Sequence, residues 1–145
     1  NKLWQARHDA YYAAIALRPG CQGWATDVCV PVSRLTECIN ETKADLEGTN
    51  LLSPLVGHVG DGNFHLLYIV DPKNVEEMSE AQAHSDRMVM RALAMGGTCT
   101  GEHGVGYGKI HFLQEEHGDS ISLMRSLKVS FDPENIMNPG KIINI

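Results

Sequence analysis

Hydrophobic and polar positions along the chain switch between helical and strand spacing, and the switches define the elements. Leu3, Ala6, Ala10, Ala13, Ala14 and Leu17 form an apolar stripe that predicts a helix over 2–17, stopped by Arg18-Pro19-Gly20. Residues 23–30 read as a strand that ends at Pro31, with Cys29 between Val28 and Val30 packing as a strand residue. Ser33 is the expected N-cap of a second helix, whose face is Leu35, Cys38, Ile39, Thr42 and Leu46. That helix should end at Gly48-Thr49-Asn50, and residues 54–60 and 63–70 should form a hairpin. Asp71-Pro72 is expected to open a long helix, with Asp as cap and Pro in the first turn. Val75, Met78, Ala81, Ser85, Met88, Val89, Ala92 and Leu93 carry its stripe down to Gly96-Gly97. Its methionines, Met78, Met88 and Met90, read as packing residues. Thr98-Cys99-Thr100 reads as a short strand, and 107–117 and 120–131 as helices. Asp132-Pro133-Glu134-Asn135 then turns the chain into an irregular tail.

After the first helix the order is β-α-β-β-α-β. This predicts an α+β fold: a ferredoxin-like antiparallel sheet with helices on one face, an extra leading helix and an irregular C-terminal tail. At 145 residues the chain can bury a real core, and 43% hydrophobic with 21% charged residues is ordinary for a soluble globular protein. A net charge of −6 without a basic block argues against a nucleic-acid surface. No run of about 18 apolar residues suggests a membrane span. The sequence starts at Asn1 and opens directly into an amphipathic pattern, so it reads as a piece of a longer polypeptide with any targeting segment upstream. Cys21, Cys29, Cys38 and Cys99 lack C-x-x-C spacing and read as reduced thiols, mostly buried, in an intracellular compartment.

Candidate chemistry sits in two glycine-rich stretches. The first is Gly57-His58-Val59-Gly60-Asp61-Gly62-Asn63-Phe64-His65. Asp61-Gly62 is a two-residue hairpin signal of the type I′ kind. Centred there, the turn opposes Gly60 with Asn63, Val59 with Phe64, and His58 with His65. Directly opposed residues have Cβ atoms about 5 Å apart on one face, so two imidazoles could share a divalent ion. Val59 and Phe64 would point to the core. The second stretch, Gly101-Glu102-His103-Gly104, offers a third ligand in Glu102 and a base in His103. Two histidines and a glutamate with an open position suit metal-assisted catalysis. A polar hairpin with solvated histidines and an ordinary glycine loop is the bland alternative. The flanking glycines count against it, because they weaken regular structure and allow close backbone approach.

Gly57 to His65, Gly101 to Gly106 and Asn138-Pro139-Gly140-Lys141, in that order, resemble the C-terminal part of the FAD-linked D-2-hydroxy-acid dehydrogenases. The resemblance runs from Leu3-Trp4 through Thr26-Asp27-Val28-Cys29-Val30-Pro31 to the C-terminus. The lactate-oxidising, cytochrome-linked, mitochondrial branch fits best. This implies a substrate- and metal-binding cap domain over 1–131 and a tail, 132–145, returning to an FAD domain outside this chain. It implies oxidation of a small D-2-hydroxy acid, D-lactate above all, to the 2-oxo acid, with hydride passing to FAD. It also implies an acceptor such as cytochrome c or another carrier, and a mitochondrial location.

By the same resemblance His58, His65 and Glu102 hold a divalent metal, Zn or Mn first, and His103 is the general base; its unperturbed pKa of about 6.5 suits that task. Arg7, in Leu3-Trp4-Gln5-Ala6-Arg7, would clamp the substrate carboxylate through two hydrogen bonds. Tyr11, four residues on, would line the pocket. Asn138 would contact the flavin, and Asn63 could support the pocket. Lys109 stands in a family-like place without an evident physical role. Hydroxyglutarate-type members carry an asparagine and a lysine where this chain has Leu67 and Ala25, which favours an apolar monocarboxylic substrate. His8, His84, His111 and His117 read as exposed helix histidines. Alone the chain should not catalyse, since Gly104-x-Gly106-x-Gly108 lacks the strand-turn-helix context of a dinucleotide site. The rival readings are a metal-dependent hydrolase and a non-catalytic ferredoxin-like interaction module.

Overall fold

The computed structural model describes residues 2–145, the side chain of Leu3 excepted, so Leu3's part in the predicted stripe lies outside the described residues. The chain is built around one strand. Asn63–Val70 (β4; labels here follow chain order) is buried at all eight positions. A strand covered on both faces reads as a near-continuous apolar run, which is what Phe64-His65-Leu66-Leu67-Tyr68-Ile69-Val70 provides apart from His65. Gln22–Ala25 (β1) and Val28–Cys29 (β2) pair antiparallel along one edge of β4, from Gln22 opposite Val70 to Cys29 opposite Asn63. Leu55–His58 (β3) pairs antiparallel along the other edge. The expected last strand shrinks to one antiparallel bridge between Thr98 and Cys29. The fold is thus α+β with the β-α-β-β-α-β order, and the first strand is broken at Thr26-Asp27.

Alternate residues of β4 face opposite ways. Phe64, Leu66, Tyr68 and Val70 enter the main core with Cys38 of Leu35–Asp45 (α2) and Ala81, Met88, Val89 and Ala92 of Val75–Ala94 (α3). Phe112 and Leu113 of Ile110–His117 (α4) and Ile121 of Ser120–Phe131 (α5) extend that core. Leu67 and Ile69 face the other side, where Ala14 and Ile15 of Lys2–Ala16 (α1) cover them. The leading helix therefore stands alone on the face opposite α2 and α3. Its buried side is rotated from the predicted stripe: Ala10 and Ala14 of the stripe are covered, Ala6, Ala13 and Leu17 are exposed, and Arg7 and Ile15 are half-buried instead. Docking on Leu67 decides the rotation. A Cβ on Gly23 would come within 3.1 Å of both Leu67 and Tyr11, so the helix sits tight against β1. That rotation carries Arg7 to the sheet.

Three local expectations fail for identifiable reasons. Ser33 lies inside a 3-10 turn, Val32–Arg34, and α2 starts without a side-chain cap. Asp71 accepts from the Lys73 amide at 2.9 Å as a local turn, and Asn74 is the true cap of α3, accepting from Glu77 N at 3.1 Å. Val75, the first stripe position there, is exposed, as is Met90. In the hairpin only Gly62 takes a positive φ, 78°, after a 3-10 turn over Val59–Asp61. The tight I′ turn is therefore replaced by a wider one. Val30 N donates to Gly62 O at 3.0 Å, and the Val30 carbonyl leaves no space for a Cβ at Gly62. Pairing shifts to Val56 opposite His65 and His58 opposite Asn63, and Val59 is exposed instead of entering the core.

Candidate functional site

The register shift spans two residues, and an even shift preserves the face on which each side chain lies. His58 and His65 are therefore diagonal neighbours, not opposed ones, and still share the α1 side of the sheet, with ring centroids 6.3 Å apart. Glu102 arrives from the glycine loop. Its Oε1 is 2.9 Å from His65 Nε2 and its Oε2 is 3.5 Å from His58 Nε2. Ligand atoms of the three residues all lie within 4.8 Å of one another. Bonds of about 2.0–2.2 Å put tetrahedral ligand atoms roughly 3.4 Å apart, so the His58–Glu102 spacing already fits and the His65–Glu102 spacing would open slightly.

The donor chemistry fits a metal at His65. Its Nδ1–H donates to the Thr26 carbonyl at 2.8 Å, which orients the ring and leaves Nε2, on the Glu102 side, as the nitrogen that could ligate. His58 is more open, and there Arg7 intervenes. Arg7 Nη2 donates to His58 Nε2 at 2.7 Å. An ion and a guanidinium cannot share one lone pair, so Arg7 must swing away for His58 to ligate. His103 stays off the triangle: its ring centroid is 5.2 Å from that of His65 and its Nε2 is 3.6 Å from Glu102 Oε1.

Beside these groups lies a cavity of about 210 Å³. Arg7, His65, Glu102 and His103 line it with polar atoms; Ala10, Tyr11, Ala25, Pro54, Val56 and Leu67 line it with carbon. Six of the seven proposed site residues thus surround one place, counting His58 through its contacts with Arg7 and Glu102. Asn138 is the exception. It is exposed, at φ 50°, accepts from Lys141 Nζ at 3.3 Å, and lines a separate cavity of about 480 Å³ with Gly104, Val105 and Gly106. The glycine loop separates the two cavities.

Asp27 was missed as a site residue, although a charged residue inside an apolar strand pattern is a usable signal. It is buried at the break between β1 and β2. Its Oδ2 accepts from Thr100 Oγ1 at 2.8 Å and from the amides of Gly101, Glu102 and His103 at 2.9, 3.0 and 2.9 Å. Its Oδ1 accepts from Asn63 Nδ2 at 2.7 Å. Burial works against this charge, but the donors led by the His103 and Glu102 amides outweigh it and hold the carboxyl far below the usual carboxylate range. Lys109 now has a physical role: its Nζ donates to the carbonyls of Asp27 and Cys99 at 2.6 and 2.7 Å. Burial lowers its pKa, and Asp27 opposes that. His84 is a correction. It is not an exposed helix histidine but is sealed in the main core at 0% exposure. Cys38 and Cys99 are buried free thiols; Cys21 and Cys29 are half-buried.

A glycine loop carrying Glu-His beside two strand histidines, on a sheet of this order, defines a class. The chain matches the C-terminal domain of FAD linked oxidases over residues 1–142 and belongs to that family. Among its relatives is a probable mitochondrial D-lactate dehydrogenase of Danio rerio, 56% identical over 146 residues. The mitochondrial D-lactate dehydrogenase [cytochrome] of Arabidopsis thaliana is 46% identical over 144 residues, and a glycolate oxidase subunit of Bacillus subtilis 35% over 144. These alignments cover 100%, 99% and 97% of this chain but 29%, 25% and 30% of the relatives, so the chain spans under a third of their length. Among the described residues no helix is long and apolar enough to cross a membrane.

Proposed function

We propose that this chain is the substrate- and metal-binding part of a mitochondrial, FAD-dependent D-lactate dehydrogenase of the cytochrome-linked type. The convergence of His58, His65 and Glu102 beside Arg7 and an apolar cavity carries this reading. The names of the relatives in Danio rerio and Arabidopsis thaliana point the same way. The FAD-binding part lies outside this chain, and the tail after Asp132, with the exposed Asn138, would return to it. A flavin bound there would supply the hydride acceptor, and a cytochrome or similar carrier would take up its electrons. His58, His65 and Glu102 would hold a Zn or Mn ion, which would supply Lewis acidity that eases loss of the substrate's α-hydroxyl proton. Imidazole and carboxylate ligands accept either ion.

The rest of the chemistry belongs to side chains. Arg7 binds the substrate carboxylate, and leaving His58 for it frees the ligand's lone pair. His103, beside Glu102 but outside the ligand set, takes the hydroxyl proton as C2 is oxidised. Leu67, Ala25 and Tyr11 receive the substrate's side chain and keep water from it. Leu67 and Ala25 offer no cation to a second carboxylate. A metal-dependent hydrolase and a bare interaction module gain no support, since the family is one of flavin-linked oxidases.

The test is a side-by-side assay of the full-length enzyme with an artificial electron acceptor. A buried, unpaired carboxylate costs several kcal/mol, so kcat/KM for D-lactate should exceed that for D-2-hydroxyglutarate by on the order of a hundredfold or more. Equal turnover of D-2-hydroxyglutarate would end the lactate assignment and leave the flavin-and-metal chemistry standing.

A further inference from the structure

Four of the donors around Asp27 come from one stretch of four residues. Thr100 gives its hydroxyl and Gly101, Glu102 and His103 give their amides, all to Oδ2. Three successive amides aimed at one point form a concavity suited to an anion. Here the acceptor is a protein carboxylate, so the shape is built in. The loop is pinned from the other side too. A Cβ on Gly101 would run into Asn63 Nδ2, and that amide group donates to both Asp27 Oδ1 and the Val28 carbonyl, at 2.7 and 3.0 Å. Asn63 is paired with His58 in the sheet and lies two residues before His65. Thr26, the neighbour of Asp27, holds His65 Nδ1. The two-residue break in the first strand therefore fixes the ring of His65 through one residue and the backbone of Glu102 and His103 through the next.

We propose that Asp27 is the positioning residue of the site: its carboxylate sets the loop so that Glu102 meets the histidines and His103 stands beside them. This rests on the functional reading above. Asp27 is buried and does not line the cavity, so it acts through the loop and is not a catalytic residue. A merely structural aspartate would hold the loop for stability, and its loss would lower stability without a selective effect on chemistry. A positioning aspartate has a different signature. Arg7, Tyr11 and Leu67, which lie on α1 and β4, keep their places when Asp27 changes. Substrate binding should survive while turnover and metal affinity fall.

The variant is Asp27→Asn in the full-length flavoenzyme. Asparagine keeps the size but offers one acceptor oxygen where the carboxylate has two, so either the loop donors or Asn63 face an NH2 group. Mn(II) affinity of the metal-stripped protein should weaken by about tenfold or more, as for outer-sphere partners of metal ligands. kcat for D-lactate should fall by at least a similar factor, with KM within about threefold of wild type. Thr100→Val removes one donor and keeps the charge; it should lower both quantities in the same direction by less. Val89→Ala, in the core on the far side of the sheet, is the control for lost stability: a lower melting temperature with kcat per bound flavin unchanged. Unchanged Mn(II) affinity and kcat in a folded Asp27→Asn protein would overturn the proposal. So would a rise in KM that accounts for the whole loss. Failure of the D-lactate reading itself would appear in the wild-type enzyme's turnover, and the Mn(II) comparison would still decide the role of Asp27.

Discussion

Two buried histidines, one on each side of the sheet, show what separates a site from a core. His65 is 6% exposed and His84 is 0% exposed. Burial alone does not distinguish them, and each has its Nδ1 engaged. His65 donates from Nδ1 to a backbone carbonyl, which turns Nε2 to Glu102 and a cavity, where it could ligate. His84 Nδ1 accepts from the Tyr68 hydroxyl at 2.5 Å, so its Nε2 carries the proton and faces the Thr42 backbone without closing a well-formed hydrogen bond. Asp45 Oδ2 is 3.6 Å from that nitrogen, too far to accept well, and is already held by Arg87 and Arg91. One ring offers an acceptor to an opening; the other is locked neutral among carbon and arginine. The tautomer and what lies beyond the second nitrogen make the difference.

The largest effect that sharpens this contrast is on turnover. His103→Ala, beside His65, should lower kcat of the full-length enzyme by about 10²–10⁴-fold, the usual contribution of a general base. Its metal content should hardly change, because Glu102, His58 and His65 remain. His84→Ala should leave kcat per folded enzyme within about twofold. Loss of metal from the His103 variant would make His103 a ligand, and a comparable kcat loss from His84→Ala would erase the distinction between the faces.

The same contrast explains what could be read from the residues. The convergence of His58, His65 and Glu102 was legible even though the turn type was not. The error was two residues in register, and period-two side-chain alternation forgives even errors. Arg7 and Tyr11 were legible through the motif around them, while the rotation of α1 that brings them to the sheet was not. Alanines are small and uniform, so their stripe carries little weight against the demand of Leu67 for a partner. His84 was misread because a histidine among Gln82, Ala83 and Ser85 gives no local sign of burial. Its position on α3 between Ala81 and Met88 was the usable clue. Asp27 escaped because its partners are amides some seventy residues away, and backbone donors leave no trace in side-chain patterns.

A second effect, on stability, should run the other way. His84→Ala removes a fully enclosed ring and orphans the Tyr68 hydroxyl, which together should cost about 3 kcal/mol. His65→Ala opens onto a cavity that solvent or neighbouring side chains can fill, so its cost should be nearer 1 kcal/mol despite a severe loss of turnover. Thermal melts of both variants decide this. A His65 variant less stable than the His84 variant would mean that the site face, not the α2–α3 face, carries the fold.

The smallest effect is the pH dependence of stability. Burial lowers the pKa of His84; Arg87 and Arg91 add to that, and Asp45 opposes it. The groups facing the ring are thus Tyr68 from β4, the Thr42 backbone and Asp45 from α2, and Arg87 and Arg91 from α3; the Thr42 backbone, like Asp45, raises the pKa. The sign follows from proton uptake. An unfolded histidine, with a pKa of about 6.5, binds a proton on acidification before the folded one does. His84 therefore contributes stability that is complete above that value and is lost as pH falls through it toward the lower folded pKa. The slope it adds cannot exceed about 1.4 kcal/mol per pH unit, the limit for one proton. Melting temperatures should fall between pH 7.5 and 5.5 in the wild type. His84→Gln should start lower but decline less over that range, because glutamine cannot take up the proton. The carboxylates near the ring do not confuse the reading, since Asp45 is held below its ordinary range by Arg87 and Arg91 against the effect of burial. Parallel melting curves for the two proteins would mean that His84 takes up its proton as readily folded as unfolded, and its neutral, sealed state would have to be abandoned.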